Sequence, residues 1–361
     1  MNNFSNHLLT LARESRGKSQ TELAQIISID QAHLSRIEKG IITNPSSDIV
    51  KSIASELNYP VDFFYQSISH SPISDFFYRK RITLPAKEKN KLEAQIEILR
   101  LVFDKLAQAV DLPALNLPKL QVNANLSASD IGILVREFFS INRGPVKNLI
   151  NVLEKHGVFV LYVNADSQKF DGLTVFTTKN HPLIILNKNM PNDRKRFSLA
   201  HELGHQIMHL PFRYEFETYD RIKSDPDLFE TEADTFASEF LLPTSEVKYE
   251  LNNINYNKLS ELKLYWNVSK RAIVFKAKSI GSISEDRYKF LMIELSRRGE
   301  RVKESFDVEI DEPKAFSEIF KLHKEKLGYS IKELSKIVVL NESDLRNIEN
   351  ENSNSKLRIA I

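Results

Sequence analysis

Two histidines four residues apart constrain this chain more than any other feature. In His201-Glu202-Leu203-Gly204-His205 they stand one turn apart on a single helix face, so both imidazoles can reach one ion. The chain has no Cys, so every further ligand must be His, Asp or Glu. Glu202 then lies beside the water that such an ion holds. Zinc lowers the pKa of that water towards about 7, and a carboxylate one residue on can take its proton. The motif is short and the chain has nine His, so a second segment must agree with it.

That segment is Phe229 to Pro243, a predicted helix on which Glu230, Ala233, Asp234, Ala237 and Leu241 share one face. Its small alanines let it press against the His201–His205 helix and bring Glu230 to the ion as third ligand, with Glu232 and Glu239 as the competing carboxylates. Asp234, one turn on, is placed to hold a ligand histidine by its other nitrogen. His209, at i+4 from His205, would lie about 12 Å from His201 on a continuous helix, so it is read as a packed or substrate-side residue. With Tyr214 and Tyr219 it is a candidate oxyanion donor. Gly204 costs a helix about 1 kcal/mol relative to Ala, which close approach of a neighbouring element would explain.

At 361 residues the chain calls for two or three folding units. With 42% hydrophobic and 27% charged residues it can bury a sizeable core, and its net charge of +2 confines any nucleic-acid contact to a local patch. Residues 1–67 read as a bundle of short helices, and 68–125 as a linker, near 68–84, followed by a helix from about 86 to 110. In that linker Arg79-Lys80-Arg81 is a solvated face or a phosphate contact. Residues 126–250 begin with two helices, the second starting near Gly144-Pro145 and closed by Gly157. Three strands follow, at 158–163, 173–177 and 183–186, and then helices from about 193 to 279 apart from a loop at 211–226. Residues 251–361 are a C-terminal helical region; its last 80 residues carry two more helical stretches and the tail Ser355–Ile361. The start of the chain lacks an apolar signal segment, and no run of about 18 apolar residues occurs, which predicts a cytoplasmic protein without membrane contact.

The segment Arg196–His205, ending in Met208-His209, together with Glu230-x-x-Ala233-Asp234-x-Phe236-Ala237 and Leu242-Pro243, resembles the ImmA/IrrE family of metallopeptidases. The resemblance covers roughly 130–300. It implies a zincin-like α+β fold, zinc held by His201, His205 and Glu230, Glu202 as general base, and cleavage of a regulatory protein, commonly a helix-turn-helix repressor. That family usually has Thr where this chain has Ser198.

Lys18 to Gly40 reads as two short helices joined by a tight turn, with Ser19 and Asp30 as N-caps and Leu23, Ala24, Ile29, Leu34 and Ile37 as the packing residues. Gln20, Gln31, His33, Ser35 and Arg36 are left for a DNA groove. The stretch resembles the Xre-type, lambda-repressor-like helix-turn-helix family, except that Ser28 stands in the turn where Gly is usual. Acids balance bases over residues 1–65, so a homodimer is the simplest way to gain phosphate contacts. A second pattern of the same cap-and-stripe kind lies at Leu327–Ile348, without a basic reading face; it is expected to be a helical accessory element.

These readings converge on an α+β protein: a helix-turn-helix bundle for double-stranded DNA, then a zincin-like peptidase domain with a small sheet. Its cofactor is Zn²⁺, with Mn²⁺ as the substitute availability would allow. The expected activity is metal-dependent endopeptidase cleavage of a repressor that controls gene expression. The alternative is a DNA-binding regulator whose peptidase-like domain senses a metabolite or protein partner and cuts nothing.

Overall fold

The computed structural model describes residues 3–67, 84–165, 169–213, 227–309 and 311–353, with Ser167, Glu215, Arg221 and Asp225 between them. The chain opens with four helices, α1 (Asn6–Ser15), α2 (Gln20–Ile26), α3 (Gln31–Glu38) and α4 (Ser47–Leu57), and a 3-10 turn at Val61–Tyr65. Ser19 caps α2 and Glu22 returns the bond, a reciprocal box that satisfies two end N–H groups. Asp30 occupies the same position before α3 but makes no side-chain cap. In the turn between them Ser28 adopts φ +57°, so the left-handed geometry usually given to Gly is kept without it. The expected linker, with Arg79–Arg81, lies outside the described residues, as does the tail Ser355–Ile361.

Helix α5 (Ala86–Leu106) ends in a 3-10 turn at 107–109, close to the expected boundary. It does not stand out between domains. Leu92, Ile96, Leu99 and Phe103 are buried in one continuous core with Leu8, Leu9 and Leu11 of α1. Then come α6 (Ala128–Phe138) and α7 (Leu149–Lys155). The second starts after Gly144-Pro145, at the point where the left-handed Asn148 accepts the N–H of Asn151.

The three strands fall where runs of β-branched, aromatic and other apolar residues place them: β1 (Phe159–Val163), β2 (Gly172–Phe176) and β3 (Pro182–Asn187). Their order is β1-β3-β2, with β1 parallel and β2 antiparallel to β3. The sheet separates two cores. Phe159, Leu161, Leu173, Val175, Leu183 and Ile185 join the core of α1 and α5. Val160, Tyr162, Ile184 and Leu186 face the other way, onto the elements that carry the metal motif.

Those elements are α8 (Asn192–Met208), α9 (Leu228–Leu241), α10 (Thr244–Val247), α11 (Tyr256–Trp266) and α12 (Lys270–Ser279). The C-terminal part holds more helix than the two stretches expected: α13 (Glu285–Arg297), α14 (Ala315–Lys321) extended by a π turn at 322–326, α15 (Ile331–Val338) and α16 (Glu342–Asn352). These helices are short, 7 to 13 residues, and follow one another across brief polar turns, so a reading by stretches merges neighbours and undercounts them. The architecture is α+β. Among the described residues no helix is long and apolar enough to cross a membrane.

Candidate metal centre

Helix α8 runs straight through the motif, and His201 and His205 project from its buried side with ring centroids 4.7 Å apart. Their Nε2 atoms lie 2.9 Å from each other. Helix α9 crosses the same turn of α8, and Glu230, in its first turn, sets one carboxylate oxygen 3.5 Å from His201 Nε2 and the other 3.4 Å from His205 Nε2. A tetrahedral ion with bonds of about 2.0–2.1 Å needs donor–donor edges of about 3.3 Å, so the triangle has the right size for one small divalent cation.

Close contact of the two helices is built into their sequences. A Cβ on Gly204 would stand 2.9 Å from Cδ1 of Phe236 and 3.5 Å from Cα of Ala233, so α9 rests where any larger residue would hold it off. Ala233 and Ala237 are fully buried along that seam. The expectation that Gly204 marks a close approach is met by a helix.

The outward nitrogens of both motif histidines are engaged. His201 Nδ1 lies 2.7 Å from Asp234 Oδ1; a carboxylate only accepts, so Nδ1 donates, which in the neutral ring leaves the lone pair on Nε2. His205 Nδ1 lies 2.8 Å from His209 Nδ1, and His209 Nε2 is 3.0 Å from Glu232 Oε2. Burial pushes the pKa of His209 down to about 4, against the raising effect of Glu232, so near neutral pH its ring carries one proton. That proton belongs on Nε2, facing Glu232. His209 Nδ1 therefore accepts from His205 Nδ1, which in a neutral His205 ring likewise leaves the lone pair on Nε2. Two imidazole nitrogens and a carboxylate that converge in this way form a donor set that could hold one cation.

The structure thus places His209 behind His205, not at an open face where a substrate oxygen would lie. Helix α8 ends at Met208, and the His209 ring stacks on Phe229 at 4.4 Å, with the Arg221 guanidinium 5.2 Å from the centroid of Phe229 and bonded to Glu232. Of the competing carboxylates, Glu232 is used here, while Glu239 accepts from the backbone and hydroxyl of Thr244 and from Lys276. Tyr214 and Tyr219 lie outside the described residues.

Glu202 is buried and its Oε2 accepts from Thr174 Oγ1 at 2.7 Å. Thr174 escaped the sequence reading. Its only signal there is a hydroxyl in the middle of an apolar strand, flanked by Leu173 and Val175, which point to the opposite face. The chain of His209, Glu232 and Arg221 behind His205 was equally hidden, because it forms between segments that are distant in spacing terms.

On α3, Gln31 and Arg36 are exposed and Ser35 is half-buried. Gln20 is partly committed: it donates to Glu38 at 2.6 Å and accepts from Gln31 at 2.9 Å. Glu38 also receives Arg13 at 2.5 Å, which ties α1 to the end of α3. His33 is half-buried with its Nε2 shielded from solvent, which takes that nitrogen away from a base edge.

Residues 153–278 match the family model of the IrrE N-terminal-like domain, and residues 9–64 match that of the helix-turn-helix. The chain joins these two domains. Over 158 residues, 41% of this chain and 92% of the relative, it is 27% identical to the metallopeptidase ImmA of Bacillus subtilis (strain 168). The IrrE-like match takes in the end of α7, the whole sheet and α8 to α12, and so contains His201, Glu202, His205, Glu230 and Asp234.

Proposed function

We propose that this chain is a zinc-dependent endopeptidase fused to a DNA-binding domain, cytoplasmic, and that it cleaves a transcriptional repressor to control gene expression. The observation that supports this best is the convergence of His201 Nε2, His205 Nε2 and the Glu230 carboxylate on one point, with Glu202 adjoining it in the same helix turn. Three protein ligands suit a catalytic site, which keeps a coordination position open, better than a closed structural one.

A zinc ion held by these three groups would supply Lewis acidity towards a peptide carbonyl and towards water. The protein's own groups do the rest. Thr174 anchors one oxygen of Glu202 and so sets the carboxylate beside the reacting centre, where it takes a proton from the attacking water and returns it to the leaving amine nitrogen. Asp234 and His209 fix the rotation and tautomer of the two ligand rings, so neither must reorganise as charge develops. Residues 9–64 bring this activity to DNA, and a repressor bound at the same operator is the substrate that this placement favours.

The test is incubation of the wild type and Glu202→Gln with helix-turn-helix repressors encoded nearby, with Zn²⁺ or Mn²⁺ added. Metal-dependent cleavage by the wild type, reduced by a factor of about 10² to 10⁴ in the variant, is the expected result. If both proteins bind metal and DNA and neither cuts, the peptidase reading is wrong and the domain is a sensor.

A further inference from the structure

The second cap-and-stripe pattern of the sequence is unused by the function above, and the structure shows how closely it follows the first. Laid over α1–α3 at a constant separation of 311 positions, without a gap, residues 317–349 repeat residues 6–38. Leu11, Glu14, Gly17, Ser19, Glu22 and Leu23 return as Leu322, Glu325, Gly328, Ser330, Glu333 and Leu334; Leu34, Ile37 and Glu38 return as Leu345, Ile348 and Glu349. The backbone repeats too. Gly17 and Gly328 have φ of +66° and +72°, and Ser28 and Val339 have φ of +57° and +59°. Left-handed geometry is an outlier for a β-branched residue, so the turn between α15 and α16 keeps a helix-turn-helix shape against the preference of its own side chain. Ser330 and Glu333 form the same reciprocal cap as Ser19 and Glu22, and the Arg13–Glu38 ion pair has its counterpart in Lys324–Glu349.

What differs is the reading helix. At the positions of Gln31, His33, Ser35 and Arg36 stand Glu342, Asp344, Arg346 and Asn347, so the face that would meet phosphate changes from one base to two acids and one base, and Arg346 lies 3.6 Å from Glu342. Asp344 is spent on the first unit, 2.6 Å from Arg16, and Asn341 donates at 2.8 Å to the backbone and side-chain oxygens of Asn58. At the far end of α16, Asn352 accepts from the N–H of Tyr162 at 2.7 Å and donates to its carbonyl at 3.2 Å, closing the open edge of β1.

We infer that residues 315–352 are a second helix-turn-helix unit whose reading helix has been turned from DNA to protein: its partner is the first unit, which it docks through Arg16 and Asn58 while holding the edge of β1. One chain then carries two such units and presents a single reading helix, α3. The homodimer expected from charge alone is replaced by pairing within the chain, and the DNA-binding unit is strapped to the sheet that carries Thr174.

Two measurements on the full chain test this. In hydrogen exchange, Asp344→Arg is expected to speed exchange at the end of α4 and across β1 by tenfold or more. Arg16 also donates to the carbonyls of Leu57 and Asn58, so the control keeps Arg16 and varies its partner: Asp344→Glu, which retains the carboxylate, should stay within about threefold of wild type at both places. Unchanged exchange in Asp344→Arg overturns the docking, and so does equal loss of protection in Asp344→Glu. In DNA binding, which alone rests on the proposed role of α3, Arg346→Ala with Asn347→Ala should leave affinity within twofold while Arg36→Ala lowers it. Loss of affinity in the Arg346/Asn347 variant would show that the second unit still reads DNA. If Arg36→Ala is silent as well, the DNA-binding reading fails and the docking result stands by itself.

Discussion

Asp234 keeps 45% of its side chain exposed, yet its Oδ1 is 2.7 Å from a ring nitrogen of the almost fully buried His201. An exposed carboxylate so placed would act on an ion bound there through the histidine it orients. Asp234→Asn is expected to weaken Zn²⁺ binding about 10- to 100-fold, read by competition with a chromophoric chelator, while the metal-free protein melts as before. Equal affinity of wild type and variant would remove Asp234 from the site. Gly204 works through space and not through charge. Gly204→Ala gains about 1 kcal/mol of helix propensity, but its methyl lands 2.9 Å from the ring of Phe236, itself fully buried and stacked on Phe240. Overpacking of this kind costs about 1–3 kcal/mol, so the net effect on stability is a loss, and prying α9 from α8 displaces Glu230. A variant with higher urea stability and wild-type zinc affinity would refute the tight seam.

Helices are joined here by buried charge as well as by apolar packing. Glu154, at the end of α7, accepts the backbone N–H groups of Lys314 and Ala315 at 3.1–3.2 Å and so caps the start of α14. Burial pushes its pKa from 4.5 up to about 7, the two N–H bonds pulling the other way. A carboxyl whose folded pKa is raised binds its proton more tightly in the native chain. Its favourable contribution is present below about 4.5 and is lost as pH climbs from there through about 7. Over that window this one group should remove on the order of 3 kcal/mol of stability. Urea midpoints measured at half-unit pH steps should fall across it in the wild type and stay flatter in Glu154→Gln; superimposable profiles would mean that the group does not titrate in the fold.

At the scale of the whole molecule, the DNA-binding unit shares its core with the rest of the chain. Leu8, Leu9 and Leu11 pack with Leu92, Ile96 and Phe103 of α5, and the same cluster continues to Phe159 and Leu161 on the sheet and to Phe316 and Phe320 on α14. Removing residues 1–67 therefore bares an apolar face of α5 and is expected to lower the melting temperature and promote aggregation. Arg36→Ala is the cleaner probe: it should cost about 1–3 kcal/mol of operator binding with no change in melting. A truncated chain that melts at the wild-type temperature and stays soluble would show that the shared core contributes nothing.

What the sequence determined by itself was local. The i, i+4 histidines, the stripe Glu230–Ala233–Asp234–Ala237, the caps at Ser19 and Ser330 and the β-branched and aromatic runs of the three strands each lie within a few turns of helix or one strand, where spacing along the chain is distance in space. Competition among Glu230, Glu232 and Glu239 was open to that reading, because one helix displays all three within three turns; only the crossing of α9 over α8 sends one to the ligand triangle, one to His209 and one to Thr244. Thr174 beneath Glu202, the placement of His209 behind His205, and the return of the C-terminal unit onto Arg16 depend on contacts between residues as far as 328 positions apart. Such contacts exist only once the cores on the two sides of the sheet have formed, and no local period of the sequence encodes them.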